Sequence, residues 1–167
     1  MLVSIVINAL NEERYLPRVL DDIINQDYDH KKMEIVLVNA MSKDKTREIM
    51  DVFKKKYANT FYGIKVVDNK KKTLTSGFNL GVKNASGDAM LKIDAHASVP
   101  KDFVSQNVRI LNEGEYVCGG PRPTIVESDG DFSHTLHLVE ENMFGSSFAG
   151  YRKGSGKKYV KSVFHGM

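Results

Sequence analysis

Four short apolar runs separated by helical periodicities constrain this chain more than any other feature. Residues 2–7 form the first run, rich in valine and isoleucine. Leu16, Val19, Leu20, Ile23 and Ile24 then recur at the spacing of one helical face. Pro17 suits that helix only in its first turn. Residues 35–38 form the second run, and a helix is predicted to start near Asp44 as N-cap, burying Ile49, Met50, Phe53 and Tyr57. Residues 64–67 form the third. Leu74, Phe78 and Val82 mark the next helical face, and Gly87-Asp88 turns the chain into the fourth run. The order βαβαβαβ predicts a mainly parallel, twisted sheet in a three-layer α/β/α arrangement, because parallel crossovers are right-handed and place helices over the sheet.

The fourth run, residues 89–97 (AMLKIDAHA), ends abruptly in Asp94, a small residue, then His96. A strand covered on both faces reads as a short apolar run. Ligands of open α/β sheets sit beyond the carboxyl ends of the strands. Asp94 and His96 stand at that rim, on one side of the strand if the chain stays extended. A carboxylate oxygen and an imidazole nitrogen, with positions left for phosphate oxygens and water, suit a divalent cation. The alternative is plainer: Asp94 caps the next helix and His96 is a loop histidine.

Beyond residue 97 the pattern loosens. Pro100 opens a predicted helix that buries Val104, Val108 and Leu111 and stops at Gly114. Residues 116–118 read as a short strand running into Gly119-Gly120-Pro121. Residues 128–131 (SDGD) read as a turn, Leu136, Val139 and Met143 as a helical face, 145–156 as a Gly/Ser-rich loop, and 159–164 as a final strand. No internal repeat interrupts the 167 residues, a length that predicts one domain with a sizeable core.

The 27% charged and 41% hydrophobic content is that of a soluble globular chain, and the net charge of +3 is slight. The runs Lys54-Lys55-Lys56 and Lys70-Lys71-Lys72 stand out more, as solvated faces or anion contacts. Without aromatic platforms or a binding motif beside them, they argue against nucleic acid. A lone Cys118 rules out an internal disulfide and fits a reducing cytoplasm. No signal peptide precedes Val3 and no apolar run reaches the length of a membrane span, so a cytoplasmic protein is expected.

Two common nucleotide-binding signatures are missing. A dinucleotide fold would carry G-x-G-x-x-G after the first strand, where this chain reads Asn8-Ala9-Leu10-Asn11-Glu12-Glu13. The P-loop pattern G-x-x-x-x-G-K-[ST] occurs nowhere. Polar residues instead cluster where strands end: Asn8, Asn11 and Glu12 after the first, Asn39 after the second, Asp94 and His96 after the fourth. Asn and Asp favour turns in any protein, which explains some of these and not the Asp-x-His.

These residues resemble the family 2 glycosyltransferases, which have the GT-A nucleotide-sugar-binding fold. The opening VSIVINALNEERYLPRVLDDIINQDY is similar to the family's first strand, Asn-Glu turn and helix. EIVLVNAMSKDKTREIM resembles its second strand and Asp-Gly-Ser-type turn, and GFNLGVKNASGDAMLKIDAHA its helix, Gly-Asp turn and Asp-x-Asp segment. The variants NAMS and DAHA, with the later GGPRP, resemble the succinoglycan-biosynthesis subgroup, which makes exopolysaccharide. The resemblance implies a metal-dependent inverting transfer from a nucleoside-diphosphate sugar, a UDP-sugar foremost, to a saccharide or lipid-linked acceptor. It places Asn8, Ala9, Leu10 and Glu12 along the nucleotide, Asn39 at the base or ribose, Asp94 at the ribose or metal, and His96 as a ligand of Mg²⁺ or Mn²⁺. It also implies a peripheral membrane association where the acceptor is lipid-linked.

Two substitutions depart from the family pattern. Asn39 stands for a usual Asp, keeping hydrogen-bonding capacity but removing a charge. His96 replaces a carboxylate with a softer ligand. The resemblance further divides the chain into a nucleotide-binding half, residues 1–97, and the start of an acceptor-side half, residues 98–167. The family's catalytic base is expected beyond Met167, so the chain is expected to be the donor half of such an enzyme, Glu140 and Glu141 being weak substitutes. Arg122, in the 119–123 loop, is a candidate phosphate or sugar contact. The alternative is a non-catalytic nucleotide-sugar-binding module. A sugar nucleotidyltransferase would need a Gly-rich basic turn where this chain has NALNEE.

Overall fold

The computed structural model describes residues 1–120, Thr135, Tyr159 and Met167. Residues 1–118 and Met167 belong to one compact unit. Its elements follow the predicted alternation: β1 Val3–Ala9, α1 Leu16–Ile24, β2 Met33–Asn39, α2 Thr46–Tyr57, β3 Gly63–Asp68, α3 Leu74–Asn84, β4 Ala89–Asp94 and α4 Phe103–Asn112, with a single 3₁₀ turn at His30–Lys32 before β2. Among the described residues all strand pairings are parallel, in the order β3-β2-β1-β4. The chain therefore moves outward through β2 and β3, then crosses back to place β4 on the other side of β1.

That order sorts the side chains. Val3, Ile5, Ile7 and Ala9 of β1 join Met33, Ile35 and Leu37 of β2 and Leu91 and Ile93 of β4 on one face. There they meet Leu16, Val19, Leu20 and Ile23 of α1, Met50 and Phe53 of α2, and Phe103, Val104 and Val108 of α4. The opposite face carries a smaller cluster, Val6, Val36 and Val38, packed by Phe78 and Leu80 of α3 and by Met90. The sheet is thus sandwiched between helices, as expected from its nearly continuous apolar strands.

The α3 reading needs correction. Leu74 and Val82, expected on the buried face, are exposed, and the buried residues of the helix are Gly77 and Gly81. A Cβ on Gly81 would lie 2.3 Å from Cγ1 of Val6, and one on Gly77 2.7 Å from Oδ1 of Asn8. The helix rests on β1 through its glycines, a contact that apolar periodicity does not register. Asp44 also differs slightly from expectation: α2 starts at Thr46, and Asp44 supports it from two residues upstream by accepting the Thr46 amide at 3.0 Å.

At the opposite end of the sheet Glu34 is buried in a closed polar cluster. Lys65 Nζ lies 2.6 Å from its Oε1, which also accepts the Ser86 hydroxyl at 2.7 Å. Its Oε2 accepts the Ser4 hydroxyl and the Ser86 amide. Burial alone would raise this carboxyl, but the bonds from Lys65, Ser4 and Ser86 outweigh it and hold the pKa at about 2.

Leu111 of α4 is only half-buried, and Gly114 adopts φ +103°, ending the helix as expected. The predicted strand at 116–118 is not formed. Tyr116 and Val117 are exposed, and only Cys118 pairs, exchanging backbone hydrogen bonds of 2.8 Å with Met167. Buried Cys118 donates its thiol to the Asn107 carbonyl, and burial, with Glu115 nearby, raises its pKa. The expectations for Pro121, Arg122, residues 128–131, Leu136, Val139, Glu140, Glu141, Met143, residues 145–156 and most of 159–164 lie outside the described residues.

Candidate functional site at the sheet switch point

The point where strand order reverses lies between β1 and β4, and open α/β sheets bind ligands in the crevice that opens there. Register aligns the two strands so that Asn8 pairs with Asp94. The loops that follow Ala9 of β1 and Asp94 of β4 therefore leave the sheet at the same edge.

The two loops that follow β1 and β2 are bound to each other. Asn11 takes the left-handed conformation, φ 56°, which Asn tolerates better than most residues. Its amide donates to the Ser42 hydroxyl at 3.1 Å, and its side-chain oxygen accepts the Lys43 amide at 2.8 Å. The Glu12 amide donates to Oγ1 of fully buried Thr46 at 2.8 Å. Glu13 completes the clasp: its amide donates to Asp44 and its carboxylate accepts the Lys45 amide at 2.9 Å. Bonds from Thr46 and Glu13 keep the Asp44 carboxyl below its ordinary range despite desolvation. These backbone amides are spent on the partner loop, which fixes the shape of the crevice wall.

Against that wall Glu12 meets the end of β4. Its Oε1 lies 3.2 Å from Nδ1 of His96. The histidine side chain is 56% exposed and the glutamate 20%, so the imidazole stands in the crevice with the carboxylate behind it. Asp94 lies nearer the sheet, its Oδ1 3.3 Å from Nζ of Lys92. Among the described residues no group of three or more His, Cys, Asp or Glu side chains is gathered closely enough to enclose a metal ion. The arrangement suits a hard cation held by one or two protein groups and completed by phosphate oxygens and water.

The other sequence-selected residues are distributed unevenly. Ala9 is buried and its carbonyl accepts the Ala40 amide; Leu10 is exposed beside the crevice. Asn8 lies on the α3 side, its amide closed over by Gly77 and without a hydrogen-bond partner among the described residues. Asn39 is buried, with both ends of its amide engaged: it donates to Asp68 at 2.8 Å and accepts the Ser42 amide at 3.0 Å. Asp68 in turn binds Arg47 at 2.6 Å, and that bond, with the one from Asn39, lowers its pKa.

Sequence reasoning missed Thr46, Asp68 and Lys92. Lys92 left a visible signal, a lone charge inside an otherwise apolar strand. Thr46 and Asp68 left none, because each matters only through a loop from elsewhere in the chain. Of the lysine runs, Lys54-Lys55-Lys56 sits exposed on the last turn of α2, where cations complement the helix dipole. Lys70 and Lys71, with Asp68, Ser76, Asn79 and Lys83, line an open cavity of about 380 Å³ beside α3.

The chain is similar to several glycosyltransferases. A relative from Methanococcus voltae, a dolichyl N-acetyl-alpha-D-glucosaminyl phosphate 3-beta-D-2,3-diacetamido-2,3-dideoxy-beta-D-glucuronosyltransferase, is 37% identical over 121 residues, 70% of this chain and 37% of its own. TarS 1–349 of Staphylococcus aureus, solved in complex with UDP-GlcNAc, superposes with a TM-score of 0.66 at 21% identity, covering 78% of this chain and 37% of TarS 1–349. The mannosyltransferase PcManGT of Pyrobaculum calidifontis, solved with GDP-Man and Mn²⁺, superposes with a TM-score of 0.64 at 23% identity, covering 81% of this chain and 38% of that one. The chain thus spans less than two fifths of the length of each. The fold is GT-A. The sequence profile of Glycosyl transferase family 2 matches residues 4–166, and the chain belongs to that family.

Proposed function

We propose that the β1/β4 crevice binds the donor of a glycosyl transfer, a nucleoside-diphosphate sugar and a UDP-sugar foremost, for delivery to a saccharide or lipid-linked acceptor. The observation that carries this reading is the convergence of Glu12, Asp94 and His96 at the switch point of the sheet. In this reading Asn8, Ala9, Leu10 and Glu12 run along the nucleotide, and Asn39 with Asp68 borders the base or ribose. With Nδ1 of His96 donating to Glu12, Nε2 is the ring atom left to face a ligand, the pattern of a carboxylate-oriented metal histidine. Asp94 and His96 would hold a divalent cation, which when bound supplies positive charge where the departing diphosphate gains negative charge. The solved relatives that contain UDP-GlcNAc, or GDP-Man with Mn²⁺, support both the donor class and the cation.

In this reading acceptor activation falls to the acceptor-side part that begins at residue 98. The NAMS and DAHA variants support an exopolysaccharide role, and a lipid-linked acceptor would bring the protein to a membrane surface. Among the described residues no helix is long and apolar enough to cross one.

Calorimetric titration with UDP, GDP, CDP and ADP in the presence of Mn²⁺ tests the donor site. Saturable binding of one of them at one site per chain is expected. Failure of all four to bind would overturn the reading.

A further inference from the structure

Lys92 occupies a costly position. It is the one charged residue of β4 before its final Asp94, it pairs in register with buried Val6 of β1, and its side chain is only 26% exposed. Its ammonium lies 4.9 Å from the centre of the Phe78 ring on α3, within cation–π range, and 3.3 Å from Oδ1 of Asp94. The aliphatic stem thus covers apolar surface under the helix while the charge is directed along the strand toward the crevice. An apolar residue would suit the strand without the cost of desolvating a charge. Placing that charge beside the carboxylate that borders the donor site has consequences for what else the carboxylate can bind.

We propose that Lys92 is a positioning residue of the donor site, a built-in positive charge that occupies Asp94 in the nucleotide-free protein and makes cation binding there conditional on a diphosphate. The inference rests on the donor-site reading of Asp94. In the free protein a divalent cation arriving at Asp94 meets an ammonium on the same carboxylate, and the two positive charges repel. A bound diphosphate adds negative charge on the crevice side, which offsets that repulsion and supplies further oxygen ligands. Cation and nucleotide are thereby coupled: each binds better in the presence of the other, by the same factor.

The test measures free Mn²⁺ by electron paramagnetic resonance in titrations of wild type, Lys92→Met and the Lys92→Met/Asp94→Asn double variant, each without nucleotide and with saturating UDP, GDP, CDP or ADP. Methionine keeps an unbranched stem against Phe78 and removes the charge. Lys92→Met is expected to bind Mn²⁺ at least about fivefold more tightly than wild type without nucleotide, and to show a correspondingly smaller gain on adding nucleotide. The double variant should lose the tightening. A purely structural role for Lys92 would leave nucleotide-free Mn²⁺ affinity unchanged or weakened, and either result overturns the proposal while leaving the donor site intact. Absence of nucleotide binding in wild type and variants alike overturns the donor-site reading, and this inference with it.

Discussion

Glu12 and His96 stand 84 residues apart in sequence and 3.2 Å apart in space, at the mouth of the crevice between β1 and β4. Their contact follows from topology: β4 returns to pair with β1, and each strand sends its next loop over the same edge. An exposed pair of this kind adds little to folding, about 0–1 kcal/mol. Glu12→Gln should therefore leave the unfolding midpoint in denaturant within experimental scatter. Its effect is expected on ligand binding, where calorimetry should show several-fold weaker uptake of nucleotide with Mn²⁺.

Thr46 links the loops from below. Thr46→Val removes the acceptor for the Glu12 amide and leaves that donor without a partner in the wall of the crevice. An unmade bond of this type costs roughly 1–3 kcal/mol. Chemical denaturation should register that loss, and nucleotide affinity should fall with it, because Glu12 is no longer anchored.

The glycines of α3 give a prediction with opposing terms. Alanine at position 81 gains about 1 kcal/mol of helix propensity. It also places a methyl group 2.3 Å from the buried Val6 side chain, and overpacking of that kind costs typically about 1–3 kcal/mol. Gly81→Ala should be net destabilising, with a lower thermal midpoint. Gly77→Ala meets the Asn8 amide instead, so its signature should include altered nucleotide binding.

Glu34 gives the protein an acid sensitivity remote from the crevice. Its folded pKa of about 2 lies well below the ordinary glutamate value of 4.5. A depressed carboxyl contributes stability that is complete above the unfolded value and lost as pH falls through the folded one. The cluster should thus weaken between about pH 4.5 and pH 2, by an amount on the order of 3 kcal/mol. Glu34→Gln should be less stable than wild type at pH 7 and flatter across that window, as read from urea unfolding at successive pH values.

Much of the fold is legible because the central strands β1 and β2 are buried on both faces and the first two helices show apolar stripes. The four strands appear where the apolar runs are: β2 and β3 extend past theirs at both ends, β1 is shifted toward Ala9, and β4 stops at Asp94. The rim residues Asp94 and His96 were legible for the same reason, since a strand that stops on polar groups marks its own carboxyl end. What was hidden depended on contacts across the chain. Gly77 and Gly81 carry no apolar signal, so the apolar spacing of α3 points to Leu74 and Val82, which are exposed, as well as to Phe78, which does pack against the sheet. Asn39 was expected to meet a ligand directly; whether it does depends on Asp68, whose hydrogen bond to it joins two strands no local pattern connects. Lys92 is a lone charge in an apolar strand that the sequence reading passed over, and its meaning needs the distance to Asp94.

The most direct test of the donor site compares thermal unfolding of wild type and Asp94→Ala with the preferred nucleoside diphosphate and Mn²⁺. A ligand at about 100 times its dissociation constant adds roughly 2.7 kcal/mol to stability, enough to move the midpoint by several degrees. Wild type should show that rise and Asp94→Ala should lose most of it, each rise being read against the same protein's ligand-free midpoint. An equal rise in both proteins would contradict the assignment of Asp94 to the donor site.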